Sequence, residues 1–222
     1  MCGAHLGGGR GDFVHEALFY RAKQQAVDGV REFVSEGVAQ GEPVLVAMRP
    51  EMLDRLRPQL TSYDGSVSFE DITELGVNPA RILPRICQWL DAQPGQARVV
   101  TEPLWPGRRA AERTEVMRHE ALLNLVRPGG SPRLLCVYGD DALDAEAAQA
   151  VERTHPRVSG PGPVRRASSS FADPEQTLRA TDGDRRFGIV KGPPQVQRLL
   201  DLTGVAERLT IVDSPEELLG GV

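Results

Sequence analysis

The side chains with the widest chemical repertoire are His15, Tyr20, Glu102, Trp105, Arg108, His119, Glu120 and Asn124. Carboxylates beside imidazoles suit general acid and base work, provided both face one pocket. Glu102 follows the apolar pair Val99-Val100 and precedes Pro103-Leu104-Trp105-Pro106-Gly107. A carboxylate and an indole are therefore expected at one edge of a sheet, with Arg108 available to an anionic ligand or to Glu102 itself. On one helix, Glu120 and Asn124 stand four residues apart and share a face, while His119 points about 100° away.

Two His-Glu pairs, His15-Glu16 and His119-Glu120, invite a metal reading. Neither extends to HExxH, which would set two imidazoles on one helical face, so no metal site and no cofactor are expected. The plainer role for these histidines is to hydrogen-bond helices against a sheet. Cys136 lies within an apolar strand and reads as a small buried hydrophobe. Tyr20 and Tyr138 read as core residues whose phenols can reach a pocket. Ser168, Ser169 and Ser170 follow Arg165-Arg166 in a polar stretch that reads as a solvated loop.

These residues need elements to hold them. Apolar positions recur at three and four residues from Phe13 to Gln40, which predicts one amphipathic helix. The nearly continuous apolar run Pro43 to Met48 predicts a strand buried on both faces. Helix and strand then alternate: Glu51–Leu60, Val67–Phe69, Ala80–Asp91, Arg98–Thr101, Arg109–Leu125, Arg133–Tyr138 and a closing helix Ala145–Arg153. That rhythm predicts an α/β fold with a mostly parallel central sheet flanked by helices. The stretch 159–185 is rich in Gly, Pro, Ser and Arg and is expected to be a linker with one short helix near Glu175–Arg179. A strand-helix-strand-helix pattern closes the chain: Phe187–Val190, Pro194–Leu202, Leu209–Val212 and Ser214–Leu219.

Composition narrows the class. The chain has 222 residues, 40% hydrophobic and 26% charged, with a formal net charge of -5. An acidic chain gains nothing from phosphate backbones or anionic lipid, so direct nucleic-acid and membrane binding are disfavoured. Cys2, Cys87 and Cys136 show no close pairing, which fits a reducing, cytoplasmic setting. Residues 1–11 are glycine-rich and read as a flexible lead-in rather than a signal peptide.

Six segments carry a resemblance: HEALFY (His15 to Tyr20), GEPVLVA (Gly41 to Ala47), EPLWPGR (Glu102 to Arg108), RHEALLNL (Arg118 to Leu125), LLCVYG (Leu134 to Gly139) and RTHP (Arg153 to Pro156). In order and spacing they resemble the MEDS domain, the sensory domain of methanogen, methylotroph and dichloromethane-response regulators, over residues 12–158. The resemblance implies a RecA-like α/β fold and a sensory role, often beside partner-switching modules that control sigma factors. The phosphate-cradling GxxxxGK[ST] loop is missing, since Gln40-Gly41-Glu42-Pro43 occupies the turn after the first predicted helix, so ATP hydrolysis is not expected.

Residues 186–222, with QRLLDLTG at Gln197 to Gly204, resemble the end of a STAS domain, the small α/β module of anti-sigma factor antagonists. The half of that domain that would carry its regulatory serine is not present, and the role is not transferred to Ser168–Ser170. The expectation is a non-enzymatic sensory protein. It would bind a small organic ligand or a protein signal and act on an anti-sigma factor of the histidine-kinase-like ATPase type. A tail this short cannot bury its own core, which favours a homodimer. The alternatives are a small-molecule enzyme using Glu102, His119 and Glu120, or a dimerisation scaffold.

Overall fold

A computed structural model of the chain describes residues 13–126, 132–160, 165–182, 188–190 and 210–213. Its body is a sheet of seven strands in the order β3-β2-β4-β5-β1-β6-β7, built from Val14–Tyr20 (β1), Val44–Met48 (β2), Val67–Asp71 (β3), Arg98–Thr101 (β4), Arg133–Gly139 (β5), Arg157–Ser159 (β6) and Arg165–Ala167 (β7). All neighbours are parallel except β6 and β7. The helices are Lys23–Ala39 (α1), Pro50–Leu60 (α2), Ile72–Leu75 (α3), Ile82–Asp91 (α4), Ala110–Val126 (α5), Ala145–Thr154 (α6) and Pro174–Asp182 (α7). The α/β class with a mostly parallel sheet is as the sequence predicts.

The first predicted helix is corrected. Val14–Tyr20 is a strand inserted between β5 and β6, and the helix begins only at Lys23. The run Val14-His15-Glu16-Ala17-Leu18-Phe19-Tyr20 is almost wholly buried on both faces, so it lacks the in-out alternation that would have marked it. Its apolar residues happened to extend the 3.6-residue rhythm of the helix behind it. The turn between them is closed by the Gln25 side chain, whose Oε1 accepts from the backbone N–H groups of Arg21 and Ala22 at 3.0 and 2.9 Å.

Each strand sorts its side chains between two cores. Val44, Val46 and Met48 of β2, Leu18 and Tyr20 of β1, and Leu135 and Val137 of β5 pack under α1 and α2. The intervening residues Leu45 and Ala47 pack beneath α4, and Ala17, Cys136 and Tyr138 meet Val116 and Met117 of α5 and Val151 of α6. The period-two alternation of strands thus decides which helix each side chain can reach.

Within 159–185, expected as a linker, the described residues hold the end of β6, β7 and α7. β6 continues the parallel sheet beside β1, β7 returns antiparallel to it, and α7 packs on α5. Polar side chains make this joint: Ser159 Oγ donates to Glu16 Oε1 at 3.0 Å, and Arg165 Nε lies 3.4 Å from the same oxygen. Of the closing segment, Gly188–Val190 (β8) and Thr210–Val212 (β9) pair in parallel. The helices expected at Pro194–Leu202 and Ser214–Leu219, and the lead-in 1–11, lie outside the described residues. No helix among the described residues is long and apolar enough to cross a membrane.

Candidate functional site

The predicted residues divide into three groups. At the carboxyl ends of β1, β2 and β4, Tyr20 and Glu102 meet Arg49, which the sequence reading passed over. Arg49 follows β2 directly, and its Nε and Nη2 donate to Glu102 Oε1 at 2.9 and 2.7 Å while its backbone N–H donates to Oε2 at 3.1 Å. Tyr20 adds its hydroxyl to Oε1 at 3.1 Å. Glu102 is fully buried, and its Arg49 partner is the expected Arg108 replaced by another guanidinium. Burial together with the Glu102 charge pushes the Tyr20 phenol well up. Burial alone would lower Arg49, but the bonds and charge of Glu102 outweigh it and hold it raised. Both oxygens of this buried carboxylate thus accept hydrogen bonds from within the protein.

Trp105 and Arg108 form the second group. The Arg108 guanidinium stacks 3.5 Å from the Trp105 ring centroid, and Nη2 donates to Gly76 O at 3.1 Å. Its Nε has no hydrogen-bond partner, and burial pushes this guanidinium down to about 10. Arg108 therefore braces the loop after β4 against the end of α3, and the ion pair with Glu102 considered from sequence does not form.

The third group lies on the opposite face of the sheet, under α5. His15 from β1, Cys136 from β5, Glu120 and Asn124 from α5, and His155 just past α6 are all buried. His15 Nε2 stands 2.9 Å from Glu120 Oε2 and Nδ1 stands 3.1 Å from Asn124 Oδ1. The thiol of Cys136 donates to Glu120 Oε2 at 3.3 Å, lies 3.4 Å from His15 Nε2, and accepts from Thr101 Oγ1 at 3.4 Å. His155 Nε2 lies 3.2 Å from Glu120 Oε2 but outside hydrogen-bond geometry, so it has no hydrogen-bond partner. The two imidazoles approach to 4.1 Å between centroids, with the Tyr138 ring edge-on to His155 at 5.6 Å.

Electrostatics follow from this crowding. Burial alone would raise the Glu120 carboxyl, but the two imidazoles facing it hold it well below the usual carboxylate range. Burial, reinforced by His15, lowers the His155 imidazole. Burial and the Glu120 charge push the Cys136 thiol and the Tyr138 phenol well up. Cys136, His15 and Asn124 stand in the order thiol, base and orienting amide that nucleophilic catalysis uses. All three are buried, at exposures of 1%, 1% and 8%.

His119 stays apart, as its angular offset from Glu120 requires. Its Nε2 pairs with Glu115 Oε1 at 3.2 Å, one helical turn back. The sequence reading missed His155 and Arg49 and set Cys136 aside as a plain hydrophobe. None of the three carries a local motif, because the side chains they meet across the site are 16 to 121 residues away in the chain. The only hint was that His155 lies within the RTHP segment that contributes to the family resemblance.

No curated protein matches the chain at a significant level. A family profile does match, over residues 14–156: MEDS, the methanogen/methylotroph, DcmR sensory domain. The match runs from the first residue of β1 to the start of β6, so it takes in the buried cluster and the Tyr20-Arg49-Glu102 group whole, and it spans more than half of the 222 residues. The chain belongs to the MEDS sensory-domain family.

Proposed function

We propose that this chain is a non-enzymatic sensor that takes a small organic ligand or a protein signal and acts on an anti-sigma factor in a partner-switching pathway. Membership of a sensory-domain family supports the sensing role, and the STAS-like character of residues 186–222 suggests the pathway. One structural observation favours a small ligand: an open groove of about 530 Å³ runs between α5, α6 and α7. Leu104, Met117 and Ala150 give it an apolar floor, with Arg113 and Arg153 at its margin. This size lies within the range of small-molecule sites.

The groove also touches Thr154, whose carbonyl accepts from Asn124 Nδ2 at 2.7 Å. A ligand seated there would press on the same helix end that carries His155. It shifts the protein only by binding one arrangement more tightly than another. The small-molecule enzyme has less support, because Glu102 and Glu120 are both buried among partners and His119 faces elsewhere. The proposal includes a homodimer, which light scattering on the full chain would reveal.

Calorimetric titration of the full chain against histidine-kinase-like anti-sigma factors from the same organism tests the pathway. Binding heat that changes on adding small alcohols, aldehydes or halomethanes is the expected result, and Ala150→Trp, which fills the groove, should remove the ligand dependence alone. No heat with any factor, with or without the compounds, removes the partner-switching part of the reading.

A further inference from the structure

We infer that His15, Glu120, Cys136 and His155 form a four-ligand site for a divalent transition metal, with zinc as the ion that fits the donor set best. Two imidazoles, a thiolate and a carboxylate are donors that zinc accepts, whereas magnesium and calcium require oxygen alone. All four residues are buried, and the donor atoms lie within 4.8 Å of one another. They come from β1, α5, β5 and the residue after α6, so an ion here would tie together four elements.

Four of the six donor-to-donor distances run slightly short of those in a tetrahedral site, and the remaining two, from His155 to His15 and to Cys136, lie within 4.8 Å. Bonds of about 2.0 to 2.3 Å to nitrogen, oxygen and sulfur place tetrahedral ligands roughly 3.3 to 3.8 Å from one another. Around Glu120 Oε2 the neighbours stand at 2.9 Å for His15 Nε2, 3.2 Å for His155 Nε2 and 3.3 Å for Cys136 Sγ, and His15 Nε2 to Cys136 Sγ is 3.4 Å. Side-chain adjustment that widens the short edges around Glu120 and settles His155 relative to His15 and Cys136 would complete the geometry.

The tautomers point the same way. His155 Nδ1 is 2.8 Å from Val151 O, an acceptor only, so this nitrogen carries the proton and Nε2 presents a bare lone pair. Asn124 Nδ2 donates to Glu120 O at 3.0 Å and to Thr154 O at 2.7 Å, which turns Oδ1 toward His15 Nδ1 and makes that nitrogen a donor as well. Both histidines are thereby anchored through Nδ1–H to oxygen acceptors and direct Nε2 at one point, the outer-shell arrangement of metal-bound imidazoles. Thr101 Oγ1, donating to Cys136 Sγ, supplies the same support to the sulfur.

Hydrogen bonds alone do not satisfy this cluster. His155 Nε2 is fully buried and makes no hydrogen bond of acceptable geometry, although a carboxylate oxygen stands 3.2 Å away. A divalent cation at the centre gives that lone pair an acceptor and balances the two negative charges of Glu120 and a Cys136 thiolate, which leaves a neutral buried unit. Four protein ligands leave no open position, so the ion holds the α5 and α6 ends in place and opens no route to metal catalysis.

The full chain, prepared without chelators from cells grown in zinc-supplied and in cobalt-supplied, zinc-poor media, decides the matter. Elemental analysis should find one metal ion per chain. The cobalt form should show the visible bands of tetrahedral Co(II) and a near-ultraviolet thiolate-to-cobalt band. Cys136→Ser should lose the near-ultraviolet band, Asn124→Ala should weaken retention about 10- to 100-fold against a competing chelator, and His119→Ala, on the same helix but outside the cluster, should change neither. Wild-type protein that carries no metal, or a cobalt spectrum with no thiolate band, overturns the assignment without recourse to any variant.

Discussion

Glu102 and Arg49 show how one residue position can change the meaning of another. A carboxylate at a strand end reads as a pocket lip, but three donors from Arg49 and the Tyr20 hydroxyl turn it into a buried structural anion. Removing one partner of such a pair leaves the other charge buried and uncompensated. Arg49→Ala is therefore expected to lower unfolding free energy by about 3 kcal/mol, the low end for a broken buried pair because this guanidinium keeps partial exposure. Urea unfolding of Arg49→Ala, Glu102→Gln and the double variant checks it. The double variant should cost far less than the sum of the two singles. The site residues were legible as types but not as partners, since a local window holds Glu102 and Trp105 but cannot hold Arg49.

At the scale of elements, β1 organises the molecule. It lies between β5 and β6, sends His15 to the α5 face, Glu16 to β6 and β7, and Tyr20 to Glu102. Its end is matched closely to β5. A Cβ added at Gly139 would stand 2.7 Å from Tyr20 Cζ and 2.5 Å from Asp141 Oδ1. The Tyr20 ring is pinned by Glu102 and Arg49, so it cannot step aside. Gly139→Ala is thus expected to cost about 1 to 3 kcal/mol. Gly29→Ala meets only a terminal methyl of Leu18 and should cost less. Thermal melts of the two variants side by side make the comparison. The strands β2, β4 and β5 were readable because each is a short apolar run with turn residues around it. β1 was not, because its residues merged with the amphipathic rhythm of α1, and only pairing with β5 distinguishes the two conformations.

For the whole molecule, the described elements β7 and α7 after β6 belong to the fold. Arg165 covers the buried Glu16, and α7 packs on α5, forming one wall of the groove. A chain shortened to end at Gly160 should melt well below one that ends at Asp182. Each kcal/mol lost corresponds to about 2 to 4 °C for a chain of this size. Circular dichroism melts of the two shortened chains would show it, and equal midpoints would mean that β7 and α7 add nothing to stability.

The sequence by itself determined the class of fold, most of the helices and strands, the family, and which residue types were available for chemistry. Those follow from short-range periodicity and from ordered motifs, both of which are local in the chain. Tertiary structure alone decided that Glu102 belongs to Arg49 and that Arg108 belongs to Trp105. It also decided that His15, Glu120, Cys136 and His155 point at one spot. The reason is topological: a parallel sheet joins distant segments through crossovers, so β1 meets β5 across more than a hundred residues. The alternation of side chains along each strand then sends His15 and Cys136 to one face, under α5, and Tyr20 to the other. No local pattern records that sorting until the strands are paired.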